Sequence, residues 1–440
     1  MTKPPFEQRG LPVPRGRLSR LARFGGLTGR VLGTMAVSGG RQIASGQRPD
    51  LGRLLLTPGN AARITNELAQ MRGAAMKVGQ LISMEAGDLV PPDVAEMLAH
   101  LRSDAHFMPP KQLKTTLVHA WGPDFMQRFE RFDVRPIAAA SIGQVHRATT
   151  AEGQDLAIKV QYPGVRRSID SDLRNVGALL RMSGMVPRGL DIGPLLDEAR
   201  RQLHEEADYD REGQALARFG GLLSDAPDYH VPRLHAGLTT RDVLAMSFAR
   251  GTPIEELHTA PQQVRDRAVR LLIDLVLREL FEFHLMQTDP NFANYRYDAQ
   301  TGKVVLLDFG ATRAFGPQMA AQYRTLMRAG VAGDRQAVRA AALDIGFITT
   351  DTRRDHAETM LDMFDMAMEP LRKPTAFDFG ASNLAARLRD RGLAFGMERE
   401  FDTVPPMNTL FLQRKIAGMY LLASRLRARV AIAPLIAPWM

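Results

Sequence analysis

Three short motifs in a fixed order constrain the fold of this chain more than any other feature. Leu156-Ala157-Ile158-Lys159 is an apolar strand ending on a lysine, and Asn294 follows Asp289 by five residues across a turn. Val304-Val305-Leu306-Leu307 is an apolar strand that runs into Asp308-Phe309-Gly310, 19 residues after Asp289. Each motif alone is commonplace, since a strand-end lysine is usually a surface residue and an Asp-Pro-Asn turn usually a cap. Their conjunction in this order is not.

The periodicities around them make an α+β chain. From Arg135 the pattern turns to strands: Ile137 to Ala148 reads as strand, turn, strand, and Asp155 to Tyr162 as a strand with Ile158 and Val160 on one face. Ser168 to Phe219 is helical, and Val243 to Ala249 is a short hinge-like strand whose Met246 and Phe248 are candidate nucleotide contacts. Pro261 to His284 reads as a long helix, followed by an irregular loop, the strand Lys303 to Leu307, and helices broken near Lys373-Pro374 and Pro405-Pro406. Upstream, Asn60 caps a helix whose apolar positions run from Ile64 to Ile82, Pro91-Pro92 ends it, Asp93 to Leu101 starts another, and Pro109-Pro110 breaks the chain again before a helix to about His119. The expected domains are a basic leader over 1–55, flexible or membrane-interfacial; a helical extension over 56–134; a β-rich small lobe with a helical insert over 135–250; and a helical large lobe over 251–440. A second Asp378-Phe379-Gly380 follows Pro374-Thr375 rather than an apolar strand, and reads as a loop.

Charge matters here for where it lies. Residues 1–53 hold ten basic residues against Glu7 and Asp50, so +8 of the net +9 belongs to the leader and the body is close to neutral. A near-neutral body gives no reason to expect nucleic acid as a partner. A basic leader suits an anionic membrane surface, nucleic acid, a merely soluble tail or an organelle transit signal, of which the membrane surface is the reading taken. Its most apolar stretch, Leu27 to Val37, is roughly half the ~20 residues a span needs and is broken by Arg30. No transmembrane helix is expected. The absence of cysteine rules out disulfides and thiolate metal sites.

The three motifs match the needs of phosphoryl transfer from ATP, which relies on positioning and charge rather than covalent help from protein. Lys159 would hold the α- and β-phosphates, Asp289 would accept or orient a proton, and Asn294 and Asp308 would bind Mg²⁺ through hard oxygen donors. The departures from an ordinary kinase are equally informative. Where a G-x-G-x-x-G loop would cover the phosphates, the chain has Ala138-Ala139-Ala140-Ser141-Ile142-Gly143, and alanine resists positive φ and close backbone approach. The first acidic helix able to partner Lys159, Glu205 to Glu212, comes some fifty residues later, so helices are inserted between. No A-P-E motif or activation segment follows Gly310.

Lys77-Val78-Gly79-Gln80, the alanine loop continuing through Gly143-Gln144-Val145-His146, and Glu206-Ala207-Asp208 together resemble the UbiB family of atypical kinases, the ADCK proteins. The likeness covers about residues 60 to 430, and Gln287-Thr288-Asp289-Pro290-Asn291 looks closest to the mitochondrial coenzyme Q branch. It implies a protein-kinase-like two-lobed fold with the N-terminal helical extension packed over the active site. Lys77 would then enter the cleft and meet Glu206 and Asp208, while Lys159 would pair with Glu212; the E-x-D spacing by itself leaves that pairing open. ATP or ADP and Mg²⁺ are the implied cofactors, with Ala138, Ala139, Ala140 and Ser141 over the nucleotide. The implied activity is a Mg²⁺-dependent ATPase or small-molecule kinase supporting ubiquinone synthesis. Implied partners are an anionic membrane surface, isoprenoid lipid intermediates, quinone-biosynthesis proteins and a second copy of the chain. The location would be the cytoplasmic membrane face in a bacterium, or the mitochondrial inner membrane in a eukaryote. A protein kinase and a nucleotide-binding scaffold are the alternatives.

Overall fold

The computed structural model describes residues 107–140, 142–183, 192–397 and 406–440. The leader, the helix expected around Lys77, and Ser141 lie outside these. The described residues fall into two compact units, one of residues 107–213 with Leu234–Phe248, the other of Gln214–Arg233 with Ala249–Met440.

The first unit is built on an antiparallel sheet in the order Phe129–Phe132, Gly143–Thr150, Asp155–Gln161, Val243–Ser247, with Ala138–Ala139 also pairing with Gly143–Thr150. Period-2 alternation divides the lysine strand between two environments. Ile158 and Val160 are fully buried in a core with Leu113, Leu117, Trp121, Phe125 and Phe129, each such side chain contributing about 1.5–3 kcal/mol. Lys159 and Gln161 therefore emerge on the opposite face. The helix Pro110–Trp121 starts with proline at its first turn, where the missing N–H costs nothing. Its Trp121 Nε1 donates to the Leu238 carbonyl at 2.9 Å.

Strand pairing begins at Phe129, six residues before the Arg135 expected from the sequence. Phe129-Glu130-Arg131-Phe132 has its apolar residues three apart, a helical spacing that would split them across the faces of a regular strand. A bulge between Phe129 and Arg131 shifts the register, and the two rings then pack edge to face at 5.5 Å.

The Gln144-Val145-His146 run ties this sheet to its flanks. Gln144 Oε1 accepts from Met108 N at 2.7 Å and Gln144 Nε2 lies 2.8 Å from His146 Nε2, while His146 Nδ1 lies 2.8 Å from the Asp133 carbonyl. A neutral imidazole protonated at Nδ1 satisfies all three contacts. Burial pushes the His146 pKa down to about 4. The unfolded chain takes up this proton near pH 6.5, so the stability from neutral His146 is complete above that pH and is lost progressively as pH falls from there to about 4. The expected loss is about 3 kcal/mol. Urea midpoints at pH 7 and pH 4.5 should therefore fall further for the intact protein than for His146→Gln; equal falls would assign the acid sensitivity to other groups.

The second unit carries a four-stranded sheet in the order Tyr229–His230, Lys303–Leu306, Tyr295–Asp298, Thr252–Pro253. Around it lie the helices Gln262–Phe281, Pro317–Ala332, Arg335–Ile345, Arg354–Arg372, Leu384–Met397 and Met407–Arg425. The long helix stops at Phe281, three residues short of expectation, and His284 takes a left-handed turn with φ 48°. Beyond it the expected irregular loop contains a strand, Leu285–Gln287, paired with Thr312–Ala314. The second Asp-Phe-Gly also departs from a plain loop. Phe377–Asp378 pairs with Arg429–Val430, and Asp378 accepts from the N–H groups of Gly380 and Ala381 and pairs with Arg429. Those bonds hold the Asp378 carboxyl below the usual range. It is a tie for the C-terminal strand.

Candidate active site

In the first unit, Lys159 Nζ donates to both carboxylate oxygens of Glu212 at 2.8 and 2.9 Å. The two side chains are 9% and 1% exposed, which makes this a buried pair. Breaking such a pair typically costs about 3–5 kcal/mol, because one charge stays buried without its counter-ion. The Tyr209 ring lies 5.1 Å from the same ammonium.

Local chemistry explains how Glu212 reaches this position. Asp208 precedes the helix Tyr209–Leu222 and its Oδ1 accepts from Arg211 N at 3.1 Å, the bond of an N-cap. Ala207 O accepts from Gln161 Nε2 at 2.8 Å and also from Arg166. Since Gln161 lies two residues beyond Lys159, the E-x-D segment is hung from the same face of the lysine strand, and Glu212 follows one turn into the helix. The ion pair thus joins Lys159 to Glu212, while Glu206 sits at the end of the preceding helix, Gly193–Glu206.

The alanine loop is a tight hairpin. Ala138 and Ala139 pair with Val145 and Gln144, and Ala140 N donates to Gly143 O at 2.9 Å. None of the three alanines has positive φ. Gly143 is required by a close approach, since a Cβ there would lie 2.4 Å from Val160 O and 2.9 Å from the Tyr209 hydroxyl. Met246 is buried opposite Ala157. Phe248 takes the Arg147 guanidinium 4.2 Å from its ring centroid and gives its N–H to Asp155 O.

In the second unit, Asp289, Asn294 and Asp308 come together through backbone bonds. Leu307 N donates to Asn294 O at 3.0 Å, and Thr288 bonds Ala311 O through both its N–H and its hydroxyl. The loop of Asp289 is therefore laced to the segment holding Asp308. Asn294 Nδ2 donates to Asp289 Oδ2 at 3.3 Å, and Asp308 Oδ1 accepts from Gly310 N at 2.9 Å. Phe309 is buried against Phe219 with ring centroids 5.1 Å apart. Among the described residues no three His, Asp or Glu side chains converge as a metal cage. The side-chain oxygens of Asp308 and Asn294 are hard donors of the kind that would suit Mg²⁺.

Sequence reasoning missed the residues behind this loop. Arg414 Nη2 approaches Asp289 Oδ1 at 3.4 Å. Lys415, fully buried, donates to Gln287 O at 2.6 Å, Gln287 Oε1 at 3.2 Å and the Tyr295 hydroxyl at 2.6 Å, and lies 3.5 Å from Glu279. The available signal was a lysine on an apolar stripe, Leu412, Lys415, Met419 and Leu422, where leucine or methionine would be expected.

Comparison with known proteins gives concordant results. A family model described as the ABC1 atypical kinase-like domain matches residues 100–342. The chain is 39% identical over 421 residues to "Atypical kinase COQ8B, mitochondrial" of Rattus norvegicus, covering 95% of this chain and 79% of that protein. It is 37% identical over 426 residues to "Atypical kinase COQ8, mitochondrial" of Saccharomyces cerevisiae, covering 96% and 84%. Among solved structures, the Rv3197–erythromycin complex of Mycobacterium tuberculosis matches with TM-score 0.61 and 23% identity, over 87% of this chain and 96% of that one. That last likeness concerns the fold.

Proposed function

This chain belongs to the ABC1 family of atypical kinases, and from that premise we propose that Lys159, Asp289, Asn294 and Asp308 carry its ATP chemistry. Lys159, held straight by Glu212, binds the α- and β-phosphates; Asp308 and Asn294 hold Mg²⁺; Asp289 orients the attacking oxygen. When bound, Mg²⁺ neutralises charge on the phosphoryl group and leaving group. Ala138, Ala139, Ala140 and Ser141 cover the nucleotide, Met246 and Phe248 border it, and Lys77 acts against Glu206 and Asp208.

The acceptor is water or a small molecule. One observation carries this: Gly310 is followed directly by the strand Thr312–Ala314 and then by a helix from Pro317. That short path leaves no activation segment on which a protein substrate could dock. The rat and yeast relatives are named mitochondrial COQ8 proteins, which supports a role in ubiquinone synthesis at a quinone-bearing membrane. No described helix is long and apolar enough to cross a bilayer, and the basic residues of the leader suit peripheral attachment to anionic headgroups.

The test is ATP turnover with and without anionic phospholipid vesicles, for the intact protein and for Asp308→Asn. Vesicles should stimulate the first and not the second. Phosphate release indifferent to both lipid and Asp308 would overturn the reading. In the same assay Ala140→Gly and Lys77→Ala should each raise autophosphorylation, because each loosens the cover that excludes peptide hydroxyls. Unchanged labelling would remove that gating role.

A further inference from the structure

The helix Met407–Arg425 grips the Asp289 loop at successive points from one face. Arg414 meets Asp289 Oδ1 at 3.4 Å, and Lys415 bonds Gln287 O at 2.6 Å. Gly418 abuts Pro290, where an added Cβ would lie only 2.3 Å from the Pro290 Cβ. A mid-helix glycine costs about 0.8–1 kcal/mol relative to alanine, so its presence here is explained by the approach it permits. Asp289 is thereby held by both oxygens, Oδ1 by Arg414 and Oδ2 by Asn294 Nδ2 at 3.3 Å. A carboxylate gripped at both oxygens cannot swing about its χ angles without losing a charge-assisted bond.

We propose that Arg414 is a positioning residue for phosphoryl transfer, fixing the Asp289 carboxylate toward the attacking oxygen while Gly418 and Lys415 fix the backbone beneath it. This rests on the reading of Asp289 given above. The Arg414 side chain is 9% exposed, so it acts from behind the loop. The guanidinium is a planar fork that holds one carboxylate rotamer; an ammonium keeps the charge and loses part of the geometry.

The experiment compares Arg414→Gln, Arg414→Lys, Asp289→Asn and the double variant Asp289→Asn/Arg414→Gln in full-length protein. It measures kcat and KM for ATP, fluorescent ADP binding and melting midpoint. Arg414→Gln should lower kcat roughly 10- to 100-fold, the scale of a misplaced catalytic group, with KM and ADP affinity changed by less than about threefold. Arg414→Lys should recover most of kcat. In the Asp289→Asn background Arg414→Gln should have little further effect, since coupled residues are not additive. An unchanged kcat in Arg414→Gln, a lysine no better than glutamine, or additive losses in the double variant would each overturn the proposal. Should Arg414→Gln fail to fold, Gly418→Ala decides by the same kcat-against-KM split: a fall in kcat alone supports the clamp, and no change overturns it. Asp308→Asn separates the two readings. Turnover that survives it removes the ATP site itself, whereas turnover that needs Asp308 and ignores Arg414 removes the positioning role alone.

Discussion

Replacing Asp308 with asparagine is expected to lower Mg²⁺-dependent ATP turnover by about 100- to 1,000-fold, the scale on which a preorganised electrostatic group acts in phosphoryl and acyl transfer. The substitution keeps shape and removes charge. Asparagine can still accept from Gly310 N, as Asp308 Oδ1 does at 2.9 Å. Phe309 remains buried against Phe219, and Leu307 N remains bonded to Asn294 O. What is lost is the anionic oxygen that a hard divalent cation requires. Melting midpoint and Mg²⁺-free ADP binding should therefore match the intact protein, while the Mg²⁺ needed for half-maximal turnover rises. A variant with full turnover at ordinary Mg²⁺ would show that Asp308 is not a metal ligand.

The largest effect on stability is expected at Lys415. Lys415→Met should destabilise the protein by about 3–5 kcal/mol, the usual cost of leaving one member of a buried pair without its partner. Burial opposes the Lys415 ammonium, but Glu279 and Tyr295 more than offset it and hold its pKa above the ordinary value. Methionine fills the volume and supplies none of the three hydrogen bonds. The Gln287 carbonyl and the Tyr295 hydroxyl lose their donor, and the buried Glu279, whose pKa burial already raises, is left without its counter-ion. Glu279→Gln in the Lys415→Met background should recover part of the loss, because it removes the stranded charge while still accepting from Gln287 N, now at 3.1 Å. Urea unfolding measures both. Equal midpoints for Lys415→Met and the intact protein would show that the buried network contributes nothing net.

These expectations draw on different depths of information. The Lys159 strand, the Asp289 turn and the Asp308 strand were legible because each is a local pattern, a periodicity closed by one charged residue. The helices inserted before Glu212 were legible as a spacing that was too long. The bulge at Phe129 was not, because its two rings share a face only after the register shifts against a neighbouring strand. Nor was the pairing of Asp378, whose partner Arg429 lies 51 residues away.

By itself the sequence determined the chemistry on offer: one lysine, two aspartates and an asparagine in an order suited to ATP and Mg²⁺, with alanine in place of the phosphate-loop glycines. Only the tertiary structure decided which groups hold them. Glu212 meets Lys159 because Gln161 on the same strand face anchors Ala207, and Asp289 is braced by Arg414 from a helix more than a hundred residues downstream. Local periodicity specifies which face a side chain takes. The partner it finds there is set by packing between distant segments, where a buried charge must be paired and a glycine such as Gly418 lets two backbones close.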